Sequence, residues 1–367
     1  MNACSASHSR PTLPSGLVGQ RVSWSHRVWV VCAGVVVSLA VMNVVVGSLL
    51  SYRIGYRNDP VFGDVLGSGV LVQGAEGYCI TSINSLGMRG PELNRTQHGT
   101  RILFLGDSFT EAHQVFDWQT FVDLSEHLLA ARGVNVECVN AGLAGESPAR
   151  YIGLSAAYRR AIQPAYVVVQ VSDNDFSPVV LRPGQLGGGS WWLKAEGATW
   201  IPTRTPSGYT SGDTLRKFAR FVPLVVYLKN RWGALASSGD SSSPAIGSSP
   251  ANAALIDWVA AQLARDYGPN VAVLWVPGIS YTGGPNSPTP IETEVAHACQ
   301  RQGIKFLDPR DEMLAQFRRT GQPLLGFANT EPGVGHLNAE GHQVVAEVLA
   351  EGLVAPLSRL TTARAVP

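Results

Sequence analysis

From residue 101 onward, short continuous apolar runs alternate with segments whose apolar positions recur every three or four residues. The runs are Ile102–Leu105, Ala165–Val171 with one Gln170, Val271–Val276, the alternating Val134–Val139 and Ile304–Leu307 with one Lys305. Each is stopped at once by Gly, Asn, Ser, Pro or Asp, so each is predicted to be a strand ending in a turn. Helical spacing fills Phe121–Arg132, Arg150–Ile162, Ala251–Asp266, Thr289–Gln302 and Asn338–Leu353, the last with Asn338 as its N-cap. Strands that are apolar on both faces belong in a parallel sheet covered from both sides. The expected fold class is therefore α/β: a three-layer α/β/α sandwich around a mainly parallel five-stranded sheet, over residues 101–358. Ligands bind such sheets beyond the carboxyl ends of the strands.

The N-terminal pattern is different. From Val28 to Leu50 no ionisable side chain occurs except Cys32, and the segment is apolar all round. Its 23 residues suffice to cross a hydrocarbon layer of about 30 Å. Arg21 and Arg27 precede it, which predicts a cytoplasmic tail over 1–27, one transmembrane anchor over 28–50, and the remainder outside, in the periplasm. A cleaved signal would have a shorter core and a small-residue exit, and GSLLSYR provides neither. Residues 51–100 read as a linker and lead-in of short extended pieces and turns. Residues 177–250 read as an insertion, with Trp191, Trp192 and Trp200, a helix near Leu215–Trp232, and a Ser/Pro/Gly-rich stretch at 237–252. The tryptophans are expected to be the insertion's own core rather than a sugar platform. Residues 359–367 form a C-terminal tail.

Composition removes several classes of function. Lys+Arg 28 against Asp+Glu 27 gives a net charge of +1, without the basic face of a nucleic-acid binder. Only 15% of residues are charged, and the apolar anchor and doubly buried strands account for part of that deficit. The five cysteines are too scattered to build a disulfide scaffold, although Cys79, Cys138 and Cys299 leave room for one bridge. No P-loop, Rossmann glycine fingerprint or repeat occurs. His336 and His342 lack a third ligand or HExxH spacing, so neither a metal nor a cofactor is expected.

Four segments that follow strands, or open the last helix, carry candidate chemistry. In Gly106-Asp107-Ser108, a serine at a strand-to-helix turn can present both its hydroxyl and its N–H over the sheet edge. In Asn140–Gly145, a glycine lets backbone approach a ligand. In Ser172-Asp173-Asn174-Asp175, an asparagine amide can donate to a developing oxyanion. In His336-Leu337-Asn338, a histidine before a helix start can act as general base. His342 is expected to pack or cap within the helix.

Together, over about residues 100–355, these blocks resemble the SGNH (GDSL-type) hydrolase superfamily, with its flavodoxin-like sandwich. INSLGMRGPE (Ile83–Glu92) looks like the lead-in of membrane-anchored members. The resemblance implies Ser108 as nucleophile, His336 as base, and an oxyanion hole from Ser108, Gly145 and Asn174. Two departures stand out. Ser172 replaces a usual glycine, and the usual aspartate two or three residues before the histidine is replaced by Gly333 and Val334. The nearest upstream acid is Glu331. Either Glu331 orients His336, or Ser108 and His336 act as a dyad aided by a backbone carbonyl, or activity is lost. The resulting expectation is a serine ester hydrolase acting on O-acyl esters of glycan or lipid outside the cytoplasm. The alternatives are an acyltransferase modifying a cell-envelope polysaccharide and a degenerate binding module.

Overall fold

A computed structural model describes residues 23–49, 51–52, 56–74, 76–93, 100–176, 181, 191–197, 199–205, 250–281 and 283–365. The chain divides into two compact units, Met1–Val44 and Val45–Pro367. The described part of the first unit lies in helix α1 (Trp24–Leu49). Its 23 residues Trp24–Val46 are long and apolar enough to cross a membrane or to act as a signal sequence, and the apolar side chains stand exposed along it.

The second unit begins with five short strands: β1 (Ser51–Tyr52), β2 (Tyr56–Asp59), β3 (Gly63–Leu66), β4 (Gly69–Gln73) and β5 (Cys79–Ile83). β1, β4 and β5 form one antiparallel sheet, and β2 pairs with β3. The segment expected to be a linker with extended pieces is therefore ordered structure in its described residues. Arg89 joins it to the main sheet, because its backbone bridges Ile83 on one side and Asn140 on the other.

The main sheet holds β6 (Thr100–Leu105), β7 (Val136–Asn140), β8 (Tyr166–Val171), then, after a hairpin β9 (Trp191–Glu196) and β10 (Thr199–Arg204), β11 (Val271–Trp275) and β12 (Lys305–Leu307). Its order is β12-β11-β8-β6-β7, and every pairing is parallel. β6, β8 and β11 are buried at every position, which explains their unbroken apolar runs. Their side chains alternate between two cores. Leu103, Leu105, Val167 and Val169 pack under α4 (Pro148–Gly153), α5 (Ser155–Ile162), α6 (Pro250–Tyr267) and α7 (Pro290–Arg301). Ile102, Phe104, Val168 and Leu274 pack under α3 (Phe121–Ala131), α8 (Arg310–Thr320) and α9 (Ala339–Ala365). Each buried side chain of this size is worth about 1.5–3 kcal/mol, so a one-residue slip of any central strand would be heavily disfavoured.

Several boundaries differ from the expected ones. The helix expected over Arg150–Ile162 is two helices meeting at Leu154, and it starts earlier because Pro148 suits the first turn. α8 has no expected counterpart; its polar composition hid a helix that buries Met313 and Arg310. Asn338 does cap α9, its Oδ1 accepting the Gly341 N–H at 3.1 Å. The expected helix near Leu215–Trp232 lies outside the described residues. Within the described part of the insertion, Trp191 lies against Gly153 and Trp200 lies 5.8 Å from Trp258. Cys79, Cys138 and Cys299 are free thiols.

His342 is fully enclosed, and its Nδ1 accepts the Phe121 N–H at 3.2 Å, a first-turn donor of α3. Burial, then the charges of Arg89 and His336, push its pKa down to about 3. Because that value lies below the unfolded one, the neutral ring contributes stability above about pH 6.5 that is lost as pH falls toward 3. On this basis the full chain in detergent loses roughly 2–3 kcal/mol between pH 7 and pH 4.5 relative to His342→Asn. Asparagine retains a short acceptor but does not titrate. Urea unfolding of both proteins at the two pH values measures the difference.

Candidate active site

Ser108 opens the one-turn helix α2 (Ser108–Glu111) directly after β6. Asp107 is its N-cap, and Asp107 Oδ1 accepts the Phe109 N–H at 2.9 Å. The Ser108 N–H stands at the first helical position, where no intrahelical acceptor exists. Gln170 on β8 fixes the turn, its Oε1 accepting the Asp107 N–H at 3.1 Å and the Thr110 hydroxyl at 3.0 Å. Gly106 is required by this close approach, since a Cβ there would overlap Thr110 Oγ1 and Gln170 Oε1. Burial raises the pKa of Asp107. Asp175 is pushed well above the ordinary range, first by burial and then by the Asp107 charge.

His336 reaches Ser108 from the far end of the chain. Its backbone is pinned between an isolated bridge, Leu325 to Leu337, and the Gly326 N–H, which donates to the His336 carbonyl at 2.8 Å. The Phe109 ring lies 5.2 Å from the imidazole. His336 Nε2 stands 2.8 Å from Ser108 Oγ.

The carboxylate on the other ring nitrogen is Glu76, in the turn between β4 and β5. Glu76 Oε2 lies 2.6 Å from His336 Nδ1, and Glu76 Oε1 accepts the His336 backbone N–H at 2.9 Å. Glu331, the acid expected from the sequence, is exposed and makes no such contact; its own carbonyl accepts the Val334 N–H at 3.2 Å. This is a correction with a simple cause. Glu331 lies in a turn of its own before Gly333 and Gly335, whereas the hairpin brings Glu76 across from 260 residues away in sequence. Asn329 clasps the hairpin to the loop preceding His336, accepting the Gly77 N–H at 2.9 Å and donating to the Gly74 and Gly77 carbonyls at 3.1 and 3.0 Å. Burial alone would raise the Glu76 pKa; the two hydrogen bonds from His336 outweigh it and hold the group below its usual value. The stability this gives is therefore present above about pH 4.5 and lost as pH falls through the lowered value.

Gly335 has φ +98°, and a Cβ there would overlap Glu76 Oε1. Gly335→Ala is expected to displace the carboxylate and lower ester turnover at least tenfold. Since Gly335 is exposed, the fold should lose only about 1–2 kcal/mol from the strained backbone. Kinetics and thermal melting of the same sample separate the two effects.

The remaining sequence-predicted positions lie at the same sheet edge. Gly145 follows β7 in a turn, with φ +77°. This loop is tied to the Ser108 turn, because the Leu143 N–H donates to the Gly106 carbonyl at 3.0 Å and Asn140 Nδ2 to the Thr110 carbonyl at 2.7 Å. Asn174 sits exposed in the 3-10 turn Asp173–Phe176 after β8. Ser172 is engaged inward, its N–H and hydroxyl both donating to Asp175 Oδ2, at 2.7 and 3.2 Å. Ser108, Gly145 and Asn174 thus follow three neighbouring parallel strands.

The lead-in motif supports this edge through Arg89. Its buried guanidinium donates to the carbonyls of Glu111, Ala112 and Val115, and to Asp117 Oδ1 at 2.8 Å. It therefore braces the loop that leaves α2. Among the described residues no His/Cys/Asp/Glu group suits a metal ion.

No family model and no curated protein matches the chain. Among solved structures, it is similar to an α/β hydrolase enzyme from the metagenome of Lake Arreo, Spain, at 16% identity and TM-score 0.38, covering 71% of this chain and 96% of that one. It is also similar to a lipase/acylhydrolase from Enterococcus faecalis, at 15% identity and TM-score 0.39, covering 70% and 96%. An acetyl xylan esterase, AlAXEase, matches at 15% identity and TM-score 0.38, covering 69% and 99%.

Proposed function

We propose that this protein is a serine ester hydrolase acting on O-acyl esters of glycan or lipid, held at a membrane by its N-terminal helix with the second unit outside the cytoplasm. The observation that carries this reading is the continuous chain from Ser108 Oγ to His336 Nε2 at 2.8 Å and from His336 Nδ1 to Glu76 at 2.6 Å. Glu76 as acceptor keeps the proton on Nδ1, so the Nε2 lone pair is free to take the serine proton.

Ser108 Oγ attacks the ester carbonyl carbon while its proton passes to Nε2. The N–H groups of Ser108 and Gly145 and the Asn174 amide hold the oxyanion, each donor being worth about 2.7–4 kcal/mol in the barrier. Nε2 returns the proton to the departing alkoxide. Water, deprotonated in turn by Nε2, then attacks the acyl-enzyme and releases the acid and free Ser108. An acyltransferase differs only in the acceptor of this last step. The degenerate-module reading depended on a missing acid, and Glu76 supplies a carboxylate at the required nitrogen.

Treatment of the full chain in detergent with a fluorophosphonate probe tests the proposal. The expected result is stoichiometric labelling on Ser108, with loss of p-nitrophenyl acetate hydrolysis. An unlabelled folded protein would overturn both catalytic readings.

A further inference from the structure

A cleft of about 310 Å³ is lined by residues close in sequence to the triad, among them Asn338, two residues after His336. Tyr78, two residues after Glu76, lines it together with Gln114, Phe327 and Glu340. Next to it runs a row of aromatic rings. Tyr78 meets Phe116 edge-on at 6.1 Å, and Phe116 stacks on Trp118 at 4.6 Å with the planes 6° apart. One face of the indole is thus covered by Phe116, while Trp118 as a whole remains 61% exposed. A tryptophan held flat against a neighbour yet open to solvent has no role in the core.

The polar groups are equally specific. Gln114 is 93% enclosed, and among the described residues its Oε1 has no hydrogen-bond partner. A buried carbonyl without a donor costs stability unless something supplies one. Glu340 Oε2 accepts from Gln316 at 2.7 Å. Among the described residues no basic side chain lines the cleft, which favours an uncharged ligand over a phosphate or a carboxylate.

We infer that this cleft and the Tyr78–Phe116–Trp118 row bind an uncharged pyranose oligosaccharide. Flat aromatic faces take the apolar C–H face of a sugar ring. The exposed Glu340 carboxylate takes its hydroxyl donors, with Gln114 in the cleft wall, and the volume is at the lower limit of ordinary ligand pockets. Its consequence for catalysis, choosing an acylated glycan over a lipid ester, rests on the hydrolase reading; the binding itself does not.

The test uses the full chain in a zwitterionic, sugar-free detergent, titrated with chitotetraose, xylotetraose and mannotetraose while tryptophan emission and calorimetry are followed. At least one neutral tetrasaccharide should saturate the protein, and Trp118→Ala should weaken it at least tenfold. Fluorophosphonate labelling of Ser108 and turnover of p-nitrophenyl acetate should stay within twofold in that variant. The KM for the corresponding acetylated oligosaccharide should rise with little change in kcat. Absence of binding by all three sugars, or affinity unchanged in Trp118→Ala, would overturn the site. Binding without labelling would instead overturn the hydrolase reading and leave the site standing.

Discussion

Glu76→Gln is expected to lower kcat for p-nitrophenyl acetate by about 10⁴-fold, the cost of holding a triad histidine in the wrong tautomer, while Glu331→Gln leaves it unchanged. Glu76 offers two acceptor oxygens, one to His336 Nδ1 and one to the His336 backbone N–H. An amide side chain has a single acceptor oxygen. If that oxygen stays on the fixed backbone N–H, the amide NH₂ faces Nδ1 and drives the ring proton onto Nε2. The imidazole then cannot accept the Ser108 proton. Glu76→Asp keeps two acceptors but is one methylene short, so it should fall between glutamine and wild type. The Glu331 variant is the control, because that residue is the only acid shortly before His336 in sequence. A reversed ranking of the two would return the orienting role to Glu331.

Ser108→Ala should cost more, about 10⁶-fold in kcat, and His336→Ala a similar amount, because removing either partner of an interlocked pair removes the covalent route altogether. The double variant should then be no worse than either single one. Residual turnover should persist at about 10³–10⁴ over water, from whatever oxyanion donors and binding remain. Steady-state rates with the two single variants and the double variant decide this. Effects that simply multiply would mean that Ser108 and His336 act independently despite their 2.8 Å separation.

The sequence was most legible where local pattern and tertiary burial coincide. β6, β8 and β11 are buried on both faces, so apolar runs marked them. Thr289 and Asn338 mark helix starts by side-chain chemistry that operates within one turn. The lead-in was harder, since β1–β5 are only two to five residues long, too short to show a clear period. INSLGMRGPE was visible as a motif, but the task of Arg89 was not. Its four acceptors lie 22 to 28 residues downstream and are mostly backbone carbonyls, which carry no side-chain signature.

The chain itself determined the alternation of strands and helices and the two residues that now stand in contact, because Ser108 and His336 each sit in a local context of turn and helix start. Tertiary structure decided which acid completes them. An acid near His336 in sequence is constrained by its own turn, and Glu331 points its backbone into the Gly326–Val334 loop. Glu76 arrives because an antiparallel hairpin and the Asn329 clasp place its carboxylate at both His336 donors. Hydrogen bonding depends on distance in space and not on separation along the chain, so spacing alone could not have identified it.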